Sequence, residues 1–290
     1  MSGILTTLRV PNIYRTVYPK AYRKASPMSV LDQILAAKIE EIERLRPRGP
    51  ELRRLASGHK PARPFAAALR AGDNVALIAE FKRRSPSAGW IRQDGLVAEI
   101  TKAYSEAGAR AISVLTDTEF FAGTLSDLGT ARDKTSVPLL RKDFIIDEVQ
   151  LLEARAAGAD AVLLIVRALH DARLRELIAA AHEIGLETLV EAHDEAEVEH
   201  ALTAGATVIG VNNRDLSSFR VDRDLASRIA GMVPRDVVLV AESGVRSAQD
   251  VARCGDVGMD AVLVGEALMR AADLRAAVRE FAAQKRHGRT

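Results

Sequence analysis

Polar side chains follow short apolar runs at five places in the chain, and the acidic and basic ones among them could carry out acid–base chemistry. The clearest case is the apolar run VALIA at residues 75–79, which leads directly into Glu80 and Lys82. A short apolar run bounded by turn residues is typical of a buried strand, whose side chains alternate between two faces. Glu80 and Lys82 are therefore expected on one face, either as a structural ion pair or as groups that bind and protonate a substrate.

The same arrangement recurs at four later positions. Apolar runs end in the following polar residues: Lys142, Glu191, Asn212 and Glu242. Each lies two positions after an apolar residue or a glycine, so it should continue the inward-facing side of its strand. Isolated salt bridges are a poor explanation for polar residues at the same end of five strands. We therefore interpret these residues as one site.

Two glycine-containing segments, ESGV at 242–245 and VGEA at 264–267, follow the last two predicted strands. Glycine lets backbone N–H groups approach phosphate oxygens, and a helix N-terminus adds a favourable dipole. The segments predict a phosphate site, with tight turns as the alternative, and its residues are Ser243, Gly244, Gly265 and Glu266. Positive charge suited to an anionic substrate is expected nearby from Lys82, Arg83, Arg84, Lys142 and Arg214.

A recurring joint between helix and strand supplies the elements that would position these residues. A helical stretch ends in glycine and an apolar strand follows within a few residues, at Gly108, Gly158, Gly185, Gly205 and Gly258. Glycine just past a helix adopts a left-handed conformation without steric cost, so the chain can turn back. Together with three further apolar runs, these joints predict eight strands. They lie near 77–82, 111–116, 138–142, 160–166, 187–191, 207–211, 237–241 and 260–264.

Eight βα units in about 200 residues predict an α/β protein of the (β/α)₈ TIM-barrel class. An open doubly wound sheet is disfavoured, because no Gly-x-Gly-x-x-Gly turn follows the first strand. Two extra helices are predicted before that strand, at 29–46 and 64–70, the first beginning at a capping-box pattern of Ser29 and Asp32. Residues 28–290 are interpreted as a single barrel domain.

Composition excludes several other classes of protein. The chain has 290 residues, of which 48% are hydrophobic, and its net charge of +2 gives no reason to expect nucleic-acid binding. It lacks an apolar run of the ~18 residues that a membrane helix needs. Its one cysteine excludes an internal disulfide and a thiolate metal cluster, which indicates a reducing, cytoplasmic location.

Residues 1–27 differ from the rest of the chain. They contain five basic residues and no Asp or Glu. Three interpretations stay open: an organelle-targeting peptide, a disordered basic extension, or a misassigned start with Met28 as the true first residue. Each predicts that the barrel does not need this segment.

Several motifs, taken in order, resemble the indole-3-glycerol-phosphate synthase family. They are EFKRRSPS at 80–87, LLRKDF at 139–144, LVEAH at 189–193, GVNNRDL at 210–216 and AESG at 241–244, together with TD at 116–117 and FFAG at 120–123. The resemblance implies a (β/α)₈ carboxy-lyase of tryptophan biosynthesis. Such an enzyme converts 1-(2-carboxyphenylamino)-1-deoxyribulose 5-phosphate to indole-3-glycerol phosphate, carbon dioxide and water.

The resemblance also implies roles for individual residues. Lys142 is expected to be the general acid for ring closure, oriented by Glu80, and Glu191 the base of a later step, although the order in which Lys82 and Glu191 act stays open. The implied catalytic residues are Glu80, Lys82, Lys142, Glu191, Asn212 and Glu242, and the implied substrate-binding residues are Ser85, Phe121, Phe144 and Arg214. Glu266 departs from the pattern, since some members carry serine there.

No metal or cofactor is expected, and the expected partner is a small phosphorylated molecule. We expect a monomer, with weak association with other tryptophan-pathway enzymes as an open alternative. Two rival functions remain: an isomerase of another phosphorylated sugar, and a barrel that serves only as a binding subunit.

Overall fold

The computed structural model describes residues 29–213 and 225–288, within which eight parallel strands close into a barrel. These strands are β1 (Ala76–Phe81), β2 (Ala111–Leu115), β3 (Leu139–Lys142), β4 (Ala161–Ile165), β5 (Glu187–Ala192), β6 (Val208–Asn212), β7 (Val238–Glu242) and β8 (Ala261–Val264). Each strand pairs with its neighbours in chain order, and β1 pairs with β8 through Ala76↔Ala261 and Ala79↔Val264. The predicted (β/α)₈ barrel is confirmed.

Helices surround the barrel and precede it. The described α-helices are α1 (Val30–Leu45), α2 (Gly49–Gly58), α3 (Phe65–Arg70), α4 (Val97–Ala107), α5 (Leu125–Lys134), α6 (Glu148–Ala156), α7 (Asp171–Glu183), α8 (Glu195–Thr203), α9 (Leu225–Ala230), α10 (Ala248–Asp256), α11 (Glu266–Met269) and α12 (Leu274–Ala282). None of these helices is long and apolar enough to cross a membrane. The predictions for residues 1–27 and for Arg214 lie outside the described residues.

Within the part of the chain that the structure describes, three α-helices precede β1, so the prediction of two was incomplete. α1 begins at the capping box, where Ser29 Oγ accepts a hydrogen bond from the Asp32 N–H at 3.1 Å. The prolines and glycine at 47–50 were expected only to end this helix. Instead Arg46–Arg48 form a 3₁₀ turn and Pro50 lies in the first turn of α2. Proline suits that position, because the N–H it lacks would have no partner within the helix.

α3 closes the N-terminal end of the barrel. Glu187, the first residue of β5, accepts hydrogen bonds from the backbone N–H groups of Phe65 and Ala66, both at 2.8 Å. A carboxylate at a helix N-terminus satisfies N–H groups that have no partner within the helix. Phe65 and Leu69 are fully buried. This end is therefore filled, and a substrate site has to form at the opposite end of the strands.

Alternation along the strands divides the hydrophobic residues into two layers. Ala76 and Ile78 of β1 belong to the cluster that fills the barrel interior, whereas Leu77 and Ala79 belong to the layer between strands and helices. Glu80 is the next inward-facing position after Ile78. The strand period therefore directs the polar strand ends toward the C-terminal mouth.

Candidate active site

A cavity of about 680 Å³ opens at the C-terminal end of the barrel. Every predicted site residue except Arg214, which lies outside the described residues, lines it. These residues are Glu80, Lys82, Ser85, Phe121, Lys142, Phe144, Glu191, Asn212, Glu242, Ser243, Gly244, Gly265 and Glu266. Residues from seven different strand ends and loops thus meet in one place, although they are spread over most of the sequence.

The charged groups form two sets inside this cavity. Lys142 Nζ lies 3.3 Å from Glu191 Oε2 and 3.5 Å from Glu242 Oε2. Lys82 Nζ lies 2.7 Å from the Oε1 atom of Glu80, the residue two positions earlier in the chain. Glu80 was expected to orient Lys142 and to balance its charge. It balances the charge through longer-range attraction, but its direct partner is Lys82.

Burial and the charge of the neighbouring groups together set the protonation states around Lys142. Burial lowers the pKa of Lys142, but Glu191, Glu242 and Glu80 outweigh this effect and raise it above its ordinary value. Burial raises the pKa of Glu242, and the adjacent Glu191 adds to that shift. The pKa of Glu191 falls despite burial, mainly because of Lys142. Near neutral pH the set therefore contains an ammonium ion and an ionised Glu191, whereas Glu242 holds a proton more readily than a free carboxyl group does.

Two aromatic side chains form one wall of the cavity. The ring centroids of Phe121 and Phe144 are 6.1 Å apart, and their planes are inclined by 35°. Residues Val30, Leu31 and Ile34 of α1 also line the cavity. Tilted aromatic and aliphatic side chains suit a flat aromatic ring. The contribution of α1 was not predicted, because the helical period of its apolar residues does not reveal which part of the fold they cover.

Beneath this wall lies a buried lysine that the sequence motifs did not single out. Lys38 Nζ on α1 lies 2.9 Å from Asp117 Oδ2 and 3.0 Å from Asp143 Oδ1. Asp117 also accepts the Phe121 N–H at 3.2 Å, and Asp143 accepts the Phe144 N–H at 2.8 Å. Lys38 therefore joins the two loops that carry the aromatic wall. A lone lysine on the apolar face of α1 is the signal that could have revealed it.

The loop after β1 folds into a short hairpin that was not predicted. Its strands are Arg84–Ser85 and Gly89–Trp90. Ser85 is buried beside the cavity, and its Oγ accepts the Ala88 N–H at 3.2 Å. The hairpin therefore places Ser85 against the substrate space.

Part of the positive charge expected at the mouth lies elsewhere. The guanidinium group of Arg83 pairs with Asp127 at 2.7 Å, and that of Arg84 lies 5.5 Å from the centroid of the Trp90 ring. Neither Arg83 nor Arg84 lines the cavity, so this expectation was wrong. Arg246 and Arg270, which were not predicted, line it instead.

The predicted phosphate segments form the rim beside β7 and β8. Ser243 and Gly244 have φ values of +61° and +82°. A non-glycine residue in this region is uncommon and points to a local requirement on the backbone. Glu266 pairs with Arg270 at 3.0 Å, so its carboxylate is directed to a cation. This leaves the backbone N–H of Glu266, and not its side chain, to contact a phosphate.

Two inward-facing glycines leave space for catalytic carboxylates. A Cβ atom at Gly210 would overlap with Glu242 Oε1, and a Cβ atom at Gly265 would overlap with Glu80 Oε1. In both cases the overlapping atom is the end of a side chain and not backbone. A methyl group would therefore displace a carboxylate without breaking the barrel.

We expect Gly210→Ala and Gly265→Ala each to lower kcat by about ten- to 10²-fold, because small displacements of catalytic groups are costly. The thermal midpoint should change little, and steady-state kinetics with thermal melting would show both effects. Gly231→Ala is the matched control, since a Cβ there would meet no described atom within 4 Å. A rise in KM alone for Gly265→Ala would instead assign this glycine only to substrate binding.

Comparison with known proteins identifies the family. A family model described as indole-3-glycerol phosphate synthase matches residues 31–281. The chain belongs to the indole-3-glycerol phosphate synthase family. The motif resemblance is thereby confirmed, and the matched range includes all but the first residue of α1, with the buried Lys38.

Individual relatives agree with this family. Indole-3-glycerol phosphate synthase 2 of Streptomyces coelicolor is 54% identical over 223 residues, covering 77% of this chain and 86% of the relative. The indole-3-glycerol phosphate synthase of Roseiflexus sp. is 48% identical over 263 residues, covering 87% of this chain and 98% of the relative. Thiamine phosphate pyrophosphorylase from Pyrococcus furiosus has a TM-score of 0.57 at 18% identity, covering 75% of this chain and 96% of that structure, and this likeness supports the fold alone.

Proposed function

We propose that this chain closes the indole ring of indole-3-glycerol phosphate. Its substrate is 1-(2-carboxyphenylamino)-1-deoxyribulose 5-phosphate, and carbon dioxide and water are released. Family membership supports this activity. The observation that carries it is the Lys142 ammonium ion, held between Glu191 and Glu242 in a cavity with an aromatic wall.

The two ends of the substrate match opposite parts of the cavity. The aryl ring is assigned to the wall formed by Phe121 and Phe144, where stacking and apolar contact are available. The phosphate is assigned to the rim at 243–246 and 265–266, where Ser243 and Gly244 have left-handed backbone conformations and Arg246 supplies charge. The reacting carbons then lie between these ends, near Lys142.

Ring closure calls for a proton donor at the ribulose carbonyl. The aryl carbon that bears the carboxylate attacks the carbonyl carbon, and the carbonyl oxygen receives a proton from Lys142. Loss of carbon dioxide leaves its electron pair in the ring and restores aromaticity. The ionised Glu191 stabilises the positive charge that develops on the ring nitrogen before carbon dioxide departs.

Dehydration then needs a base and an acid on different sides of the intermediate. β1 and β5 are separated by three strands in either direction around the closed ring, so Lys82 and Glu191 face each other across the mouth. We assign Glu191 as the base, with Asn212 Nδ2 donating to its Oε1 at 3.1 Å. Lys82 protonates the departing hydroxyl, which leaves as water. Each step conserves electrons without an external oxidant or reductant.

The activity is tested by incubating the purified chain with the anthranilate-derived ribulose phosphate while the indole absorbance is recorded. Formation of the indole chromophore with release of one equivalent of carbon dioxide supports the proposal. Isomerisation of a phosphorylated sugar without indole formation would favour the rival isomerase. Binding of the substrate without any turnover would favour a non-catalytic barrel.

Glu191→Gln should allow an early intermediate to accumulate, because the amide keeps the size and hydrogen bonding of Glu191 but loses its basicity. Rapid-mixing absorbance would detect this species before the indole signal appears. Lys142→Ala serves as the control, since it should block formation of the same intermediate. Weaker binding without an intermediate would make Glu191 a substrate ligand, and Glu242 would become the candidate base.

A further inference from the structure

His193 lies directly behind the proposed base. Its Nε2 is 3.3 Å from Glu191 Oε1, and its Nδ1 is 3.1 Å from Glu197 Oε2 on α8. The imidazole side chain is only 1% exposed. Nδ1 forms a hydrogen bond with Glu197, whereas Nε2 contacts Glu191 at ion-pair distance without the alignment of a hydrogen bond. An imidazole that is buried between two carboxylates is stabilised in its charged form. The geometry therefore indicates an imidazolium ion between two carboxylates.

The surrounding charges support this form of His193. Glu191 and Glu197 face the ring, and behind them lie Lys142 next to Glu191 and Arg167, whose Nε is 2.8 Å from Glu197 Oε1. Two further carboxylates contact these cations. Glu242 lies 3.5 Å from Lys142, and Asp194 lies 3.7 Å from Arg167. Burial lowers the pKa of His193, but its two carboxylate neighbours outweigh this and raise it to about 9.

The imidazolium ion restricts what Glu191 can do. Glu191 Oε1 faces both His193 and the amide of Asn212, whereas Oε2 faces Lys142 and the cavity. One oxygen is therefore held from behind, and the other is left to meet the substrate. A carboxylate that receives several donors keeps its charge and a fixed orientation.

We propose that His193, paired with Glu197, is a positioning residue that fixes the orientation and the ionised state of Glu191. This inference rests on the proposed function, since it assigns His193 a part in the same reaction. The residue acts through Glu191 and not on the substrate itself.

The test compares kcat between pH 6 and pH 10 for the intact chain, Glu197→Gln and His193→Gln. In the intact chain kcat should fall as the pH rises through about 9, where His193 loses its proton. Glu197→Gln removes one of the two carboxylates, so the pKa of His193 falls and this decline should begin about one pH unit lower. His193→Gln should lack the decline, with kcat about tenfold lower throughout and KM nearly unchanged.

His200→Gln is the matched control. His200 lies on α8, the helix that carries Glu197, but it is 53% exposed and contacts Asp171 at 3.4 Å. Its pH profile should match that of the intact chain. A profile of Glu197→Gln that superimposes on that of the intact chain, whatever its thermal midpoint, would overturn the proposal.

Nuclear magnetic resonance titration of the His193 ring without substrate gives a readout independent of activity. An ordinary pKa near 6.5 would also overturn the proposal. Failure of the proposed function would appear separately, as an intact chain that forms no indole product while the ring still titrates near 9.

Discussion

Replacing Lys142 with alanine should lower turnover by about 10²- to 10⁴-fold, the range expected when a general acid is removed. The substrate KM should change much less, since the aromatic wall and the phosphate rim remain in place. The loss also removes the cation between Glu191 and Glu242, 3.3 and 3.5 Å away. Steady-state assays of indole formation would measure the effect on kcat and on KM separately.

Lys102→Ala provides the control for removing a lysine. Lys102 lies on α4 with its side chain 59% exposed, and its partner Glu106 is 3.8 Å away. Its activity should equal that of the intact chain. Lys142→Met keeps much of the side-chain length, so a loss of turnover in this variant reflects the missing charge and not a cavity. Near-normal turnover in either Lys142 variant would remove this residue from the mechanism.

Lys38→Met should destabilise the fold by about 3–5 kcal/mol, the cost of removing one partner from a buried ion pair. The substitution keeps the length of the side chain but leaves Asp117 and Asp143 facing each other without their shared cation. Urea unfolding would measure the free energy of unfolding of both proteins. Lys102→Met is the matched control and should change that free energy by less than about 0.5 kcal/mol.

The pH dependence of this difference follows from the charges of Lys38 and Asp143. Burial lowers the pKa of Lys38, but the attraction of Asp143 and Asp117 outweighs burial and raises this pKa. The stabilisation that the Lys38 charge gives to the fold is therefore complete below the ordinary lysine pKa of about 10.4. Burial raises the pKa of Asp143, but the attraction of Arg141 and Lys38 outweighs burial and lowers this pKa. The stabilisation that the Asp143 charge gives to the fold is therefore complete above the ordinary aspartate pKa of about 3.9 and is lost in acid.

The stability difference should therefore be constant between about pH 5 and pH 9 and shrink in acid. An equal free energy of unfolding for the intact chain and Lys38→Met at neutral pH would contradict this account. So would a difference that grows as the pH falls.

The strands and the polar residues at their ends could be predicted because both depend on local patterns. Each predicted polar strand end lies two positions after an inward-facing residue, as Glu191 lies after Leu189, and the barrel brings these strand ends to one mouth. Knowledge of the strand period and of the closed ring therefore sufficed to assemble most of the site.

The features that were missed depend on contacts between distant parts of the chain. Lys38 gives no local sign that its partners are Asp117 and Asp143, and Glu80 could be paired with Lys82 or Lys142 until the side chains were placed. The proline and glycine near the start of α2 suit the end of one helix and the beginning of the next equally well. The fit of Gly210 against Glu242 is likewise a property of neighbouring strands.

The position of Lys38 near the start of the chain has a consequence for synthesis on the ribosome. α1 emerges before the barrel strands, but its partners are translated much later, Asp117 just after β2 and Asp143 just after β3. Until then the lysine stays hydrated, and Val30, Leu31 and Ile34 have no wall to complete. Nascent chains halted before β3 are therefore expected to expose this apolar face to chaperones, and α1 docks only when the third strand has emerged.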